Sequence, residues 1–311
     1  MSSNGPAHHD PTSPAHPAES VGVVGLGVMG HAIATRLTHQ LGALVVSDLR
    51  PESATDLVEA GATFCDTAAD AAAHSDVIVL SLNTAPIVEQ VVFGTGGVLA
   101  GWAAGRSGHD GLIIDMSSIA PDRTREFASR VAEHGVSWVD APLSGGAPGA
   151  LAGHLSLMVG GDDPAVARAK IVLEHVAGRV THVGDNGAGQ FVKLINQVLV
   201  GIGFSGLAEV ASMTRAAGVN PEAVLASLTG GRADSTLFQE FFLKFATVDL
   251  TPTGNIANMV KDLGTAAAAA HSSGLTLPLT ELALAQNEEL ANQGHGQGDN
   301  ANLMRLHGQV Q

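Results

Sequence analysis

One stretch of the sequence combines residue types that do chemistry with a spacing that brings them together. It is Gly187-Ala188-Gly189-Gln190-Phe191-Val192-Lys193-Leu194-Ile195-Asn196-Gln197. It opens the longest helical pattern in the chain, which runs to about Ala217. Gln190, Lys193, Asn196 and Gln197 recur at spacings of three and four and so share one helix face. Around them stand Phe191, Leu194, Ile195, Val198, Leu199, Val200, Ile202 and Phe204. A helix apolar on most sides is normally buried. A lysine within it either snorkels to solvent or faces a lined cavity. In a cavity, desolvation lowers its pKa toward the range where an amine exchanges protons near neutrality. Such a lysine can give or take a hydroxyl proton during hydride transfer, with Asn196 and Gln197 holding substrate and lysine in place.

Three other stretches carry chemistry. Gly25-Leu26-Gly27-Val28-Met29-Gly30 follows the apolar run Val21–Val24 and precedes the helical pattern Ala32, Ile33, Ala34, Leu37. A Gly-x-Gly-x-x-Gly turn between strand and helix is the dinucleotide fingerprint. Gly25 allows the tight turn, Gly27 lets the pyrophosphate approach, and Gly30 lets helix pack on strand. The next apolar run ends at Asp48, which can accept hydrogen bonds from both ribose hydroxyls and repels a 2′-phosphate, favouring NAD over NADP. Arg50 works against that preference, and Asp48 can also be read as a turn residue before Pro51. Asp140-Ala141-Pro142-Leu143-Ser144-Gly145-Gly146 offers a hydroxyl and unhindered backbone N–H groups after a strand end, a nest suited to a carboxylate. Lys261, in Met259-Val260-Lys261-Asp262-Leu263, reads equally as a second functional lysine or as a solvated helix lysine paired with an acid.

The elements that must position these residues follow from periodicity. Short apolar runs at Val21–Val24, Ala43–Ser47, Thr63–Phe64, Asp76–Leu82, Gly111–Asp115, Val136–Asp140, Leu155–Val159 and Arg179–Val183 alternate with helical segments. Strand-helix alternation predicts a parallel, doubly wound α/β sheet. From Gly187 onward no strand is expected. The long helix stops at Gly218, and Asn220-Pro221 restarts helix as cap and first position. Further helices are expected around Glu222–Leu228, Asp234–Ala246, Ile256–His271, Leu279–Gln293 and Asn300–His307. This divides the chain into a tail (1–19), read as disordered, a dinucleotide-binding domain (20–185) and an all-helical domain (186–311). Gly201, Gly203 and Gly206 each cost about 1 kcal/mol against alanine in a helix. Close packing against another helix, including one from a second subunit, accounts for them.

The totals exclude some classes. The formal charge of −15 disfavours nucleic acid and anionic membrane as partners. One cysteine, Cys65, rules out an internal disulfide and fits a reducing cytoplasm. No uninterrupted apolar run of membrane-spanning length occurs, and the scattered histidines form no metal motif.

Taken together and in order, five stretches resemble the β-hydroxyacid dehydrogenase family, which includes 3-hydroxyisobutyrate, tartronate semialdehyde and threonate enzymes. They are Val24–Gly30 with Asp115-Met116-Ser117-Ser118-Ile119-Ala120-Pro121, then Asp140–Gly146, Gly187–Gln197 and Lys261-Asp262-Leu263. The resemblance spans about Ser20 to His307. It implies an N-terminal Rossmann domain, a helical domain, a homodimer or homotetramer, and NAD(P)-dependent oxidation of a small β-hydroxy acid or the reverse reduction. Lys193 becomes the catalytic acid/base, and Ser144, Gly145 and Gly146 the carboxylate site. Ser118, Leu82 and Asn83 fall at cofactor-lining positions, with Asn83 replacing the usual proline. Lys261 falls at the nicotinamide end. Gln197 stands where many members have Asn, and Asn196 precedes it, a pairing closer to the tartronate semialdehyde and threonate branches. His154 stands where many have Thr. A non-catalytic dinucleotide sensor and an imine or other carbonyl reductase on the same scaffold are the competing readings. The second is disfavoured because imine-reducing relatives replace the lysine.

Overall fold

The computed structural model describes residues 19–105 and 110–308. The expected N-terminal tail lies outside the described residues except for Glu19, which is placed and ion-paired to Arg168 at 2.7 Å.

Strands β1 (Val21–Val24), β2 (Val45–Ser47), β3 (Thr63–Phe64), β4 (Val77–Leu80), β5 (Leu112–Asp115) and β6 (Ser137–Asp140) run parallel in the order β3-β2-β1-β4-β5-β6. Every residue of β1, β4 and β5 is buried, as continuous Val/Ile/Leu runs demand when helices cover both faces. The covering helices are α1 (Val28–Leu41), α2 (Thr55–Glu59), α3 (Ala68–Ala73), α4 (Ala85–Phe93), α5 (Val98–Gly105) and α6 (Pro121–Ala132). The chain winds outward through β2 and β3, then crosses to β4 on the other side of β1. That reversal opens a crevice above the carboxyl ends of β1 and β4.

Beyond β6 the expected all-parallel sheet is corrected. A short strand β7 (Leu143–Ser144), helix α7 (Gly146–Ala152) and strand β8 (Leu155–Gly160) follow, and β8 runs antiparallel to both β6 and β7. Only after α8 (Asp163–Leu173) does β9 (Ala177–Gly184) pair parallel with β8. An apolar run carries no strand direction, so periodicity alone cannot show this turn-back. Helix α5 is a second departure. It sits where the sequence shows a glycine-rich turn, and Gly101 within it lies so close to Ala69 that no Cβ fits.

The described residues after β9 form helices only. The principal ones are α9 (Ala188–Ala216, 29 residues), α10 (Pro221–Leu228), α11 (Thr236–Ala246), α12 (Ile256–Ser272) and α13 (Pro278–Leu290). Asn220 and Ser235 cap α10 and α11 through their side chains, so α11 starts two residues later than expected. Helix α13 passes at Leu290 into a π-helical turn over Ala291–His295, so helical structure reaches Gln293 as expected, and Gly294 adopts φ 91° within that turn. Residues Asn300–His307 form a 3-10 helix capped by Asp299.

Helix α9 is the spine of this half. Phe204 packs against Phe241 and Phe245 with centroids 5.1 and 5.8 Å away. A Cβ at Gly201 would lie 2.9 Å from Leu263 Cδ1, and one at Gly203 would overlap Leu237. Close helix packing therefore accounts for both glycines. It does not account for Gly206, which faces open space among the described residues. The expectation that α9 is buried all round is likewise corrected. Phe191, Leu199 and Met213 are 53, 67 and 70% exposed, and Ile195 and Val210 lie on the same side. By length and composition, Ala188–Ala216 and Ala85–Gly105 would both suit a membrane span, which an uninterrupted-run criterion does not detect. The second is α4 and α5 broken by the turn before Val98, and it buries Val88, Val92 and Trp102 beneath the sheet. The first carries Lys193, Glu209 and Arg215 and buries Phe204, Leu207 and Ala211 in the helical core.

Candidate active site

The crevice over β1 and β4 is built by three loops. Gly25 has φ 94°, and a Cβ there would lie 2.5 Å from the Ser81 carbonyl, so the turn between β1 and α1 requires glycine. Gly30 abuts the Gly25 carbonyl, leaving no room for a side chain. Gly27 is the opposite case: a Cβ there meets none of the described residues within 4 Å. Its open side faces the amino end of α1, where Gly27 has no side chain to cap the helix. Unpaired N–H groups and the helix dipole make that end an anion site. A dinucleotide pyrophosphate fits it. Asp48 closes the side: Oδ2 accepts the Leu26 N–H at 2.7 Å and Oδ1 the Arg50 N–H at 2.9 Å. The Arg50 guanidinium stands 3.6 Å from the same carboxylate and is exposed. Val28 is exposed and Met29 partly buried beside it. The loop after β4 holds Leu82, whose N–H donates to Ser117 Oγ at 3.0 Å, and Asn83, which is exposed. Thus Gly25, Leu82 and Ser117 converge.

The amino end of α9 meets this crevice because a carboxylate from the sheet holds it. Asp140, fully buried at the end of β6, accepts the Gly187 N–H at 2.8 Å and the Gln190 N–H at 3.0 Å. It supplies the cap that Gly187 lacks and complements the helix dipole. Burial raises its pKa, while those N–H bonds oppose the rise. Across the register lies Asp115, whose carboxyl burial pushes up to about 6, against hydrogen bonds from Ser117 and with Asp140's charge adding to the rise.

Lys193 lies on the next turn of α9 and is partly buried. Its Nζ donates to Gln197 Oε1 at 3.0 Å, and Asn196 Nδ2 donates to the same oxygen at 2.9 Å. Gln197 Nε2 donates to Asp262 Oδ2 at 2.6 Å, tying the lysine to α12. Desolvation holds the Lys193 pKa below the usual lysine value, opposed by Asp262 and reinforced by the nearby Lys261 cation. Lys261 lies 3.4 Å from Asp262 and donates to the Ser118 carbonyl at 3.1 Å. Lys193, Asn196, Gln197, Asp262, Lys261 and Ser118 are therefore linked in one chain of polar contacts.

Ser144 sits in β7, paired with Ser156 of β8. Gly145 and Gly146 follow with φ 124° and 63° and open α7, whose first residues have no side-chain cap. Positive φ at both positions favours glycine and leaves this exposed turn free of side chains. This turn shares β8 with α9: Gly189 is pressed against the Met158 carbonyl and Asp140, leaving no room for a side chain. His154 is exposed. Sequence reasoning placed Asp140 and Asp262 only within motifs and left Ser117 without a role. Their bonds span 47, 65 and 35 residues, and no local signal reports such pairings.

A glycine-turn crevice, a helical half closing over it, and a pKa-depressed lysine at the junction define a dinucleotide-dependent oxidoreductase. Comparison with known proteins agrees. Residues 20–184 match the NAD-binding domain of 6-phosphogluconate dehydrogenase, and residues 187–307 match the NAD-binding domain of NADP-dependent 3-hydroxyisobutyrate dehydrogenase. The chain is 34% identical over 285 residues to 2-hydroxy-3-oxopropionate reductase of Escherichia coli K12, covering 92% of this chain and 96% of that protein. It is 35% identical to 2-(hydroxymethyl)glutarate dehydrogenase of Eubacterium barkeri, covering 85 and 86%. The solved 3-hydroxyisobutyrate dehydrogenase of Mycobacterium tuberculosis with L-serine superposes with TM-score 0.82 at 29% identity, covering 93 and 99%. The chain belongs to the β-hydroxyacid dehydrogenase family and is an NAD(P)-dependent oxidoreductase.

Proposed function

We propose that Lys193 moves the hydroxyl proton while hydride passes between a small β-hydroxy acid, or its semialdehyde, and the bound nicotinamide. The observation that carries this is the desolvated Lys193 amine, aimed by Gln197 and lying on the helix that closes the cofactor crevice. The dinucleotide supplies the hydride acceptor or donor. In oxidation, neutral Lys193 Nζ takes the substrate hydroxyl proton; in reduction, its ammonium form returns it. Ser144 and the N–H groups of Gly145 and Gly146 hold the carboxylate. Gln197 spends its oxygen on Lys193 and Asn196 and its N–H on Asp262. It therefore orients the lysine, and Asn196 is the better placed of the two to meet substrate. Leu82, Asn83, Ser118 and Lys261 line the cofactor side. Asp48 favours NAD. The exposed stripe of α9, with Phe191, Ile195, Leu199 and Met213, is where a homo-oligomer would form, and the cytoplasm is the compartment the composition fits.

The relatives include a 2-hydroxy-3-oxopropionate reductase, L-threonate dehydrogenases and a 3-hydroxyisobutyrate dehydrogenase. The Asn196-Gln197 pair puts tartronate semialdehyde and threonate first. The test is an absorbance screen with NADH/NAD and NADPH/NADP against tartronate, methylmalonate and succinate semialdehydes, 3-hydroxyisobutyrate, threonate and glycerate, run with wild type and Lys193→Ala. A general acid/base contributes about 10²- to 10⁴-fold, so Lys193→Ala should lose that much turnover while binding NADH normally. Full activity in the variant refutes the assignment. NADH binding by wild type without turnover of any of these compounds returns the sensor reading.

A further inference from the structure

The segment Ser117–Ile119 is bonded to both halves of the molecule. On the sheet side, the Ser117 N–H donates to Asp115 Oδ1 at 3.0 Å and Ser117 Oγ accepts the Leu82 N–H. On the helical side, Gln190 Nε2 donates to the Ser117 carbonyl at 2.8 Å, and Gln190 Oε1 accepts the Ile119 N–H at 3.3 Å. Lys261 reaches the Ser118 carbonyl from α12. Gln190 is 1% exposed, and both ends of its amide are used. Its own backbone N–H is held by Asp140. It precedes Lys193 by three residues, so a rise of about 4.5 Å along one helix face separates them.

We infer that Gln190 is a positioning residue for hydride transfer. It fixes the separation between the lysine's helix and the loop that lines the nicotinamide side of the crevice. The inference rests on the proposed role of Lys193. Asp140 sets where α9 begins, and Gln190 sets how that helix lies against Ser117–Ile119. Leu82 joins the same loop through Ser117, so the amide of Gln190 connects the cofactor-facing loops to the proton donor. A leucine there leaves the Ser117 carbonyl and the Ile119 N–H buried without partners and frees α9 to shift. Displacement of a reacting group by about 1 Å can cost about 10²-fold in rate. A glutamate has the same shape. Protonated, it still donates to the Ser117 carbonyl and accepts from Ile119; ionised, it loses the donor and sets a charge against a carbonyl oxygen. Burial raises the pKa of such a glutamate above its usual value of about 4.3, so it spans both states in an accessible pH range.

The experiment compares Gln190→Leu and Gln190→Glu with wild type in the reductive direction, using the best substrate of the screen. It measures kcat, KM, NADH affinity by fluorescence, melting temperature, and the isotope effect with NADH deuterated at the transferred position. Gln190→Leu should lower kcat by about ten- to a hundredfold, raise the isotope effect, and leave substrate KM close to wild type. For Gln190→Glu, the kcat ratio to wild type should be near unity at the acid end and fall steadily with rising pH. A folded Gln190→Leu with unchanged kcat and isotope effect overturns the inference. If that variant does not fold, a pH-independent ratio for Gln190→Glu overturns it. Loss of activity in Lys193→Ala combined with either result refutes only the role of Gln190; activity in Lys193→Ala refutes the proton-transfer reading itself.

Discussion

Replacing Asp262 by Asn should move the pH profile of the oxidative reaction toward acid. Oxidation needs Lys193 as the neutral amine, so kcat/KM rises with pH through the lysine's pKa. Burial and Lys261 hold that pKa down, and Asp262 opposes them. The Asp262→Asn change removes the opposing anion, while the carbonyl oxygen of the new amide can still accept the Gln197 N–H. The bridge to Lys193 therefore keeps its shape. Bonds of 3.0 and 2.6 Å on either side of the Gln197 amide set the span. Taking the two charges as about 7 Å apart with an effective dielectric of about 20, their attraction is about 2.4 kcal/mol. That corresponds to about 1.7 pH units. Solvent at the partly exposed Lys193 and the neighbouring Lys261 charge reduce the expected displacement to about one unit. The assay is kcat/KM for the hydroxy acid with saturating NAD from about pH 6 to about pH 10, with NADH affinity and melting temperature as controls for folding. An ascending limb that stays in place, or moves to higher pH, refutes the view that Asp262 tunes this amine.

Two further predictions concern the scaffold. Asp115 is buried, with its pKa raised from 3.8 to about 6. The folded state therefore holds a proton that the unfolded state has released. Stability is lost as pH rises from about 4 to about 6, by up to about 3 kcal/mol, and stays lower above that window. Asp115→Asn should accordingly raise the melting temperature at about pH 7.5 and leave it nearly unchanged at about pH 4; equal effects at both pH values would contradict this. Gly201→Ala forces a Cβ to within 2.9 Å of Leu263, and overpacking of this kind costs about 1–3 kcal/mol, so melting should fall at constant molar mass. Gly206→Ala meets no atom of the described residues but stands on α9, the helix that carries the exposed stripe, so it should weaken oligomerisation, seen by light scattering. If it only raises melting, by up to about 1 kcal/mol of helix propensity, Gly206 is not at the interface.

The parts of this molecule that were legible in the sequence are those written within about ten residues. The glycine fingerprint announces its own turn because Gly25 and Gly30 are demanded by backbone crowding around that turn. Asn220 and Pro221 announce the start of α10 by the same local logic. Strand β8 reads as a strand, yet its antiparallel direction is set by the chain's return through β7 and α7, two elements too short for periodicity to detect. Helix α5 was hidden because glycine reads as a breaker, whereas Gly101 serves contact with α3.

The site divides in the same way, and the division bears on how Lys193 works. Its face on α9 could be drawn from spacing alone, since Gln190, Lys193, Asn196 and Gln197 follow one helical row. What sets its pKa could not, because the burial and the Lys261 cation that lower it and the Asp262 carboxylate that opposes them come from outside that row. Nor could the sequence separate Gln190 from Gln197, two glutamines three residues before and four residues after the lysine. One turns toward the cofactor loop and the other toward α12. Lys193 thus lies between two amides, one bound to the loop after β5 and the other to α12. A change to Gln197 or Asp262 should act first on its proton affinity. A change to Gln190 should act first on its distance from the hydride, and the pH profile and the isotope effect separate the two.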